Sequence, residues 1–161
     1  MGAWGPGSFQ NDWALDWLGG LRESANASHV RAVLSSVVEH GGTKYSRPSI
    51  LEKLRGLRHH TEWLTAGVSS KALAAAEIVA AWAGHPAAHP PDGIKEWLQQ
   101  HASSFQSDLV PLARQAVGIV KTNSELKDLW EEGGADEWME IVEDLERRLN
   151  LPATPQAYQH L

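Results

Sequence analysis

From Ala72 to Gly84 the chain carries one charged side chain, Glu77, in a run built mostly of alanine, isoleucine and valine. Small residues on several faces let neighbouring helices approach closely, so this run is expected to lie in the middle of a bundle. Glu77 would then be partly or wholly buried. A buried carboxylate without a partner is very costly, so it must be paired or neutral. Arg22, Arg114, a tryptophan N–H, or the free N–H groups of the first helix and its preceding turn are the partners the sequence offers. Buried acids are most often satisfied members of a network. The first reading of Glu77 is therefore a tether to the N-terminal turn. The second is a catalytic or metal-binding carboxylate, because perturbed acids gather at active sites. Asp12 and Asp16 stand four residues apart, on one helical face with Cβ atoms about 6 Å apart. Two carboxylates so placed could hold a hard cation or share a proton. With Glu77 and Glu125 they form the candidate carboxylate cluster.

Other chemistries find less support. His85 and His89 flank prolines, and His59-His60 with Glu62 gives one histidine–carboxylate spacing but no second. HExxH, paired Glu-x-x-His, phosphate-loop and Gly-x-Ser-x-Gly patterns are all missing, so no metal, cofactor or catalytic residue is assigned. The chain has no cysteine, which removes disulfides, thiolate catalysis and cysteine-ligated metals.

Charge is unevenly placed. The formal net charge is −6, yet from Glu125 to Arg148 ten acids face three bases, leaving residues 1–124 near neutral. Glu131, Glu132, Asp136, Glu137, Glu140, Glu143 and Asp144 would dominate the outer faces of the last two helices. Such a field keeps a protein soluble, and it also speeds association with a basic partner. An acidic balance disfavours nucleic acid, whose affinity rests on phosphate neutralisation. One stretch runs the other way: Lys44, Arg47, Lys53, Arg55 and Arg58, followed by His59 and His60. It reads as a solvated helix and loop, with anion binding as the alternative.

The elements that must position these groups read as helices. Asn11 and Asp12 suit the cap of a short helix through Leu18, stopped by Gly19-Gly20. Ser28 opens a helix with Val30, Val33, Leu34, Val37 and Val38 on one face. A short helix from Ser49 to Leu57 would turn Ile50, Leu51 and Leu54 inward. Ser69 or Ser70 begins the alanine-rich helix, which Gly84 and Pro86 stop. His85 to Gly93, with three prolines, is a loop. Asp92, Asp108 and a Thr122–Glu125 capping box open three further helices. A last helix runs from about Ala135 to Leu149, with Trp138, Ile141, Val142, Leu145 and Leu149 inward. The expectation is an all-α chain: one domain over residues 1–161, six to eight helices, an N-terminal Trp/Gly-rich turn and a loose tail from 152. Its 161 residues suffice for a real core. The eight tryptophans are expected to fill that core, each with an indole N–H that needs a partner.

The opening block has a plain reading. Pro6-Gly7 suits the centre of a tight turn, with Gly7 at positive φ. Gly5 allows close approach, Trp4 and Phe9 anchor the turn on the core, and Asn11 caps. Trp4-Gly5-Pro6-Gly7-Ser8-Phe9-Gln10-Asn11-Asp12, with Ala14, Asp16-Trp17 and Leu21, resembles a bacterial family known as domain-of-unknown-function family 4259. Residues 74–81 and the Ser124 to Trp130 block, with Trp138 and the Leu145–Leu149 helix end, resemble it too. Gln10 and Trp13 depart from the family pattern, and the basic stretch 44–60 is longer. The resemblance implies a small bacterial cytoplasmic domain and supplies no activity or cofactor.

No apolar run approaches the roughly 20 residues of a membrane span, and the first ten residues show neither part of a secretory signal. The leading reading is a non-catalytic, cytoplasmic binding or regulatory protein, immunity- or antitoxin-like, whose acidic C-terminal helices meet a basic protein. The alternative is a carboxylate-based enzyme or metal-binding domain centred on Glu77, Asp12 and Asp16.

Overall fold

The computed structural model describes residues 3–24, 27–47, 49–55 and 64–154. Among them are eight α-helices: α1 (Asp12–Glu23), α2 (Ser28–His40), α3 (Ile50–Leu54), α4 (Ala66–Trp82), α5 (Ile94–Gln100), α6 (Leu109–Thr122), α7 (Glu125–Gly133) and α8 (Asp136–Leu149). The described residues contain no strand, only an isolated antiparallel bridge between Ala3 and Asn11. The chain is an all-helical bundle, and none of the described helices is long and apolar enough to cross a membrane.

The alanine-rich helix α4 is the axle. It packs against α1, α2, α6, α7 and α8, and from Ala72 to Trp82 every residue is buried, Glu77 included. Alanine at 74, 75, 76, 80 and 81 gives its neighbours a smooth surface to press on, where larger side chains would hold them away. The helix starts earlier than the serines at 69 and 70 suggest. Thr65 caps it, its hydroxyl accepting from Val68 N at 3.3 Å, and Ser69 and Ser70 lie buried inside. Its end is a Schellman motif: His85 N donates to Ala80 O at 2.8 Å and Gly84 N to Ala81 O at 2.9 Å. Gly84 takes φ +97°, the left-handed position that glycine fills at least cost.

Several expected stops and caps are displaced. α1 runs through Gly19-Gly20 to Glu23 because Leu18 and Leu21, on either side, are both buried. Gly20 instead makes room for His29, whose ring stacks on Trp17 at 5.2 Å. Ala27 rather than Ser28 takes the cap of α2. Gly93 at φ +78° precedes α5, with no side-chain cap from Asp92, whose backbone carbonyl accepts from Arg22. Asp108 sits at the cap of α6 but turns its carboxylate to Arg31 at 2.9 Å. Ser124, not Thr122, caps α7, accepting from Lys127 N at 3.1 Å.

Two apolar expectations are overturned. α3 is closed by a Ser49–Glu52 capping box but ends at Leu54, with Ile50, Leu51 and Leu54 exposed by 78%, 65% and 78%. No closely packed helix pair among the described residues includes α3, so its single turn has no surface on which to bury them. Trp4, read as a core anchor, is 58% exposed. Trp17, Trp82, Trp97 and Trp138 are buried, and the indole N–H groups of Trp82 and Trp97 have no hydrogen-bond partner among the described residues. Those two rings lie 5.1 Å apart, and Trp97 stacks on His101 at 4.4 Å, so ring contact rather than hydrogen bonding holds them. The start of the tail is tied down: Thr154 N donates to Ala83 O at 2.6 Å, and His85 Nε2 lies 2.8 Å from Pro152 O. Residues 155–161 lie outside the described residues.

Candidate functional site

The N-terminal loop is closed by its own backbone. Trp4 N donates to Gln10 O at 3.0 Å and Gln10 N to Gly7 O at 2.9 Å. The tight turn is therefore centred on Ser8-Phe9, two residues later than Pro6-Gly7, and Gly7 is not at positive φ. Gly7 N donates to Gln10 Oε1 at 2.8 Å, and the Gln10 side chain folds over Gly5 and Gly7, where a Cβ would collide with it. Asn11 caps α1, its Oδ1 accepting from Ala14 N at 2.8 Å, while its Nδ2 donates to Ser8 O at 3.4 Å. The loop thus presents Ser8, and Ser8 Oγ donates to Glu77 Oε1 at 3.1 Å.

Glu77 is 6% exposed, and its ionic partner is Arg148 of α8. Arg148 Nη2 lies 3.0 Å from Oε1 and 2.9 Å from Oε2. Arg148 Nε donates to Asp144 Oδ2 at 2.7 Å and Nη1 to His85 O at 3.2 Å. One buried guanidinium therefore ties together α4, α8, the loop after α4 and, through Ser8, the N-terminal turn. Neither Arg22 nor Arg114 plays this part: Arg22 donates to Asp92 O and Arg114 to Asn150 Oδ1. Arg148 was legible in principle. It stands three residues after Leu145 and one before Leu149, a charge on the buried face of α8, the same kind of anomaly that marks Glu77 in α4.

Burial pushes the Glu77 carboxyl above its ordinary value, with Arg148 and Ser8 pulling the other way. Burial works against the charge on Arg148, but Glu77 and Asp144 outweigh it and hold the guanidinium above its ordinary range. The guanidinium thus stays charged, and Glu77 is the member of the pair that takes up a proton on acidification.

This network forms the floor of a cleft of about 430 Å³. Its walls are Phe9 and Gln10 from the N-terminal loop, residues 87–89 from the proline-rich loop, and Glu140, Ile141 and Asp144 from α8. Glu140 and His89 are exposed.

The other acids of the candidate cluster are elsewhere. Asp12 is half-buried and Asp16 exposed on α1, and neither lines this cleft. Glu125 accepts from Ala66 N at 2.8 Å, so its carboxylate serves as an added cap on α4, where the helix dipole favours it. Among the described residues, no three histidine, aspartate or glutamate side chains are placed to hold a metal ion. The acidic face is partly neutralised from within: Glu131 pairs with Lys127, Glu132 with Arg47, and Glu143 with Lys121. Asp136, Glu137 and Glu140 are exposed and have no such partner among the described residues. In the basic stretch, Arg47 is engaged by Glu132 and Lys44 and Arg55 are exposed. The Lys53 side chain and Arg58, His59, His60 and Glu62 lie outside the described residues.

Comparison with known proteins shows a match to a family of sequences. The sequence model described as a domain of unknown function (DUF4259) matches residues 2–49 and 38–141. No curated protein and no solved structure matches. With most of its length matched, the chain belongs to the domain-of-unknown-function family DUF4259.

Proposed function

We propose that this protein is a non-catalytic binding or regulatory module, immunity- or antitoxin-like, that meets a basic protein through the outer face of α8. The observation that carries the reading is the unpaired row Asp136, Glu137 and Glu140. These three acids are exposed and without an ionic partner among the described residues, whereas four of their acidic neighbours are held by Lys127, Arg47, Lys121 and Arg148. Charges left uncompensated on one helix face raise the encounter rate with an oppositely charged surface. The carboxylate-enzyme alternative needs Glu77, Asp12 and Asp16 together, and no observation favours it over the binding reading.

The test is capture with the tagged chain from its native host at low and high salt, beside the triple variant Asp136→Asn/Glu137→Gln/Glu140→Gln. A basic protein that the wild type retains at low salt, and that both high salt and the triple variant release, is the expected result. Absence of a salt-sensitive partner, or equal retention by the triple variant, overturns the reading.

A further inference from the structure

We propose that the cleft over Glu77 and Arg148 is a socket for one arginine side chain of that basic partner; this deepens, and rests on, the binding function proposed above. Four charged residues line the cleft, Glu77, Glu140, Asp144 and Arg148, so three acids face one base. Arg148 does not make it a site for anions. Each of its three guanidinium nitrogens already donates, to Asp144, to Glu77 and to the His85 carbonyl oxygen. An incoming carboxylate or phosphate would meet a guanidinium already engaged at every nitrogen, and two carboxylates that repel it. A guanidinium meets the reverse: Glu140, exposed and without an ionic partner among the described residues, with the Asp144 carboxylate one helical turn further along the same wall of the cleft. The cleft volume of about 430 Å³ lies within the range that holds a small ligand or a side chain with its flanking backbone.

The walls suit a long cationic side chain rather than a bare cation. Phe9 and Ile141 offer apolar surface for the methylene stem, as extended basic side chains require. Guanidinium also stacks on an aromatic face, which an ammonium does less well. Position fits the same reading. Glu140 belongs both to the cleft and to the unpaired row on α8, one helical turn after Asp136 and Glu137. A basic surface drawn to that row is delivered to the socket.

The test uses the full chain, ¹⁵N-labelled, titrated with end-blocked Gly-Ser-Arg-Ser-Gly, its lysine and citrulline counterparts, and hexa-arginine. The arginine peptide is expected to give saturable shifts at Ser8, Gln10, Ala88 and Ile141. Lysine binds more weakly, citrulline gives none, Glu140→Gln weakens arginine binding at least tenfold, and Asp136→Asn/Glu137→Gln changes it less than threefold. If hexa-arginine moves the first turn of α8 while the cleft amides stay still with every peptide, the socket is overturned and the acidic-face reading stands. If no probe moves either region, both fall. Equal shifts from arginine and citrulline peptides overturn the charge recognition on which the socket rests.

Discussion

Arg148 is positively charged at any accessible pH, and Glu77 is the buried acid that answers it. Removing one member of a buried pair leaves the other uncompensated, which typically costs about 3–5 kcal/mol. Arg148→Met is therefore expected to lower unfolding stability at neutral pH by about that amount, read from urea denaturation. The loss shrinks on acidification as Glu77 takes a proton, and adding Glu77→Gln recovers part of it at neutral pH. The pH dependence has a definite sign. The folded-state value of Glu77 lies above its ordinary 4.5. Between the two values the folded chain holds a proton that the unfolded chain has released, so this group's contribution to stability falls as pH rises through that window. The stability difference between Glu77→Gln and wild type should accordingly move in the variant's favour as pH rises above 4.5. A difference independent of pH would contradict the raised value.

At the scale of elements, α4 and its two ends set the geometry. Its alanines bring five helices against one rod, and its C-terminal glycine turns the chain towards the cleft. Alanine at position 84 would sit at φ +97° with its Cβ 2.7 Å from the Thr154 carbonyl oxygen. Gly84→Ala is thus expected to cost at least about 1 kcal/mol, measured by thermal or urea unfolding. Because Thr154 N also donates to Ala83 O, the same substitution should loosen the chain near Thr154, seen as faster amide exchange there. The helix periods of α2, α6 and α8 were readable because each buries a long apolar stripe, and α4, buried on every face, was readable from its nearly uncharged alanine-rich run. The caps were less readable. Thr65, Ser124 and Glu125 take capping duty at places where the sequence offers several equivalent hydroxyls and carboxylates, and the choice among them depends on which backbone N–H group each can reach.

Across the whole molecule, the formal charge of −6 is concentrated on α7 and α8, and internal pairing decides which part of it remains available. Neutralising Asp136, Glu137 and Glu140 changes the formal charge to −3, from −6, without touching an internal ion pair. The association rate with a basic partner should fall several-fold at low salt and lose most of its salt dependence, while unfolding stability changes by less than about 0.5 kcal/mol. Stopped-flow association at two ionic strengths and a denaturation curve check both halves.

The helical class, the burial of Glu77 and the acidity of the last quarter were legible along the chain, because periodicity, an isolated charge among alanines and a count of acids are local properties. Tertiary structure alone decided that Arg148 rather than Arg22 or Arg114 meets Glu77. It also separated Asp12, Asp16 and Glu125 from that acid, and it left Trp4 and the apolar side of α3 in solvent. Those outcomes depend on which helix faces come together some 70 residues apart along the chain, and pairing over that distance is set by packing of the bundle as a whole rather than by any local pattern.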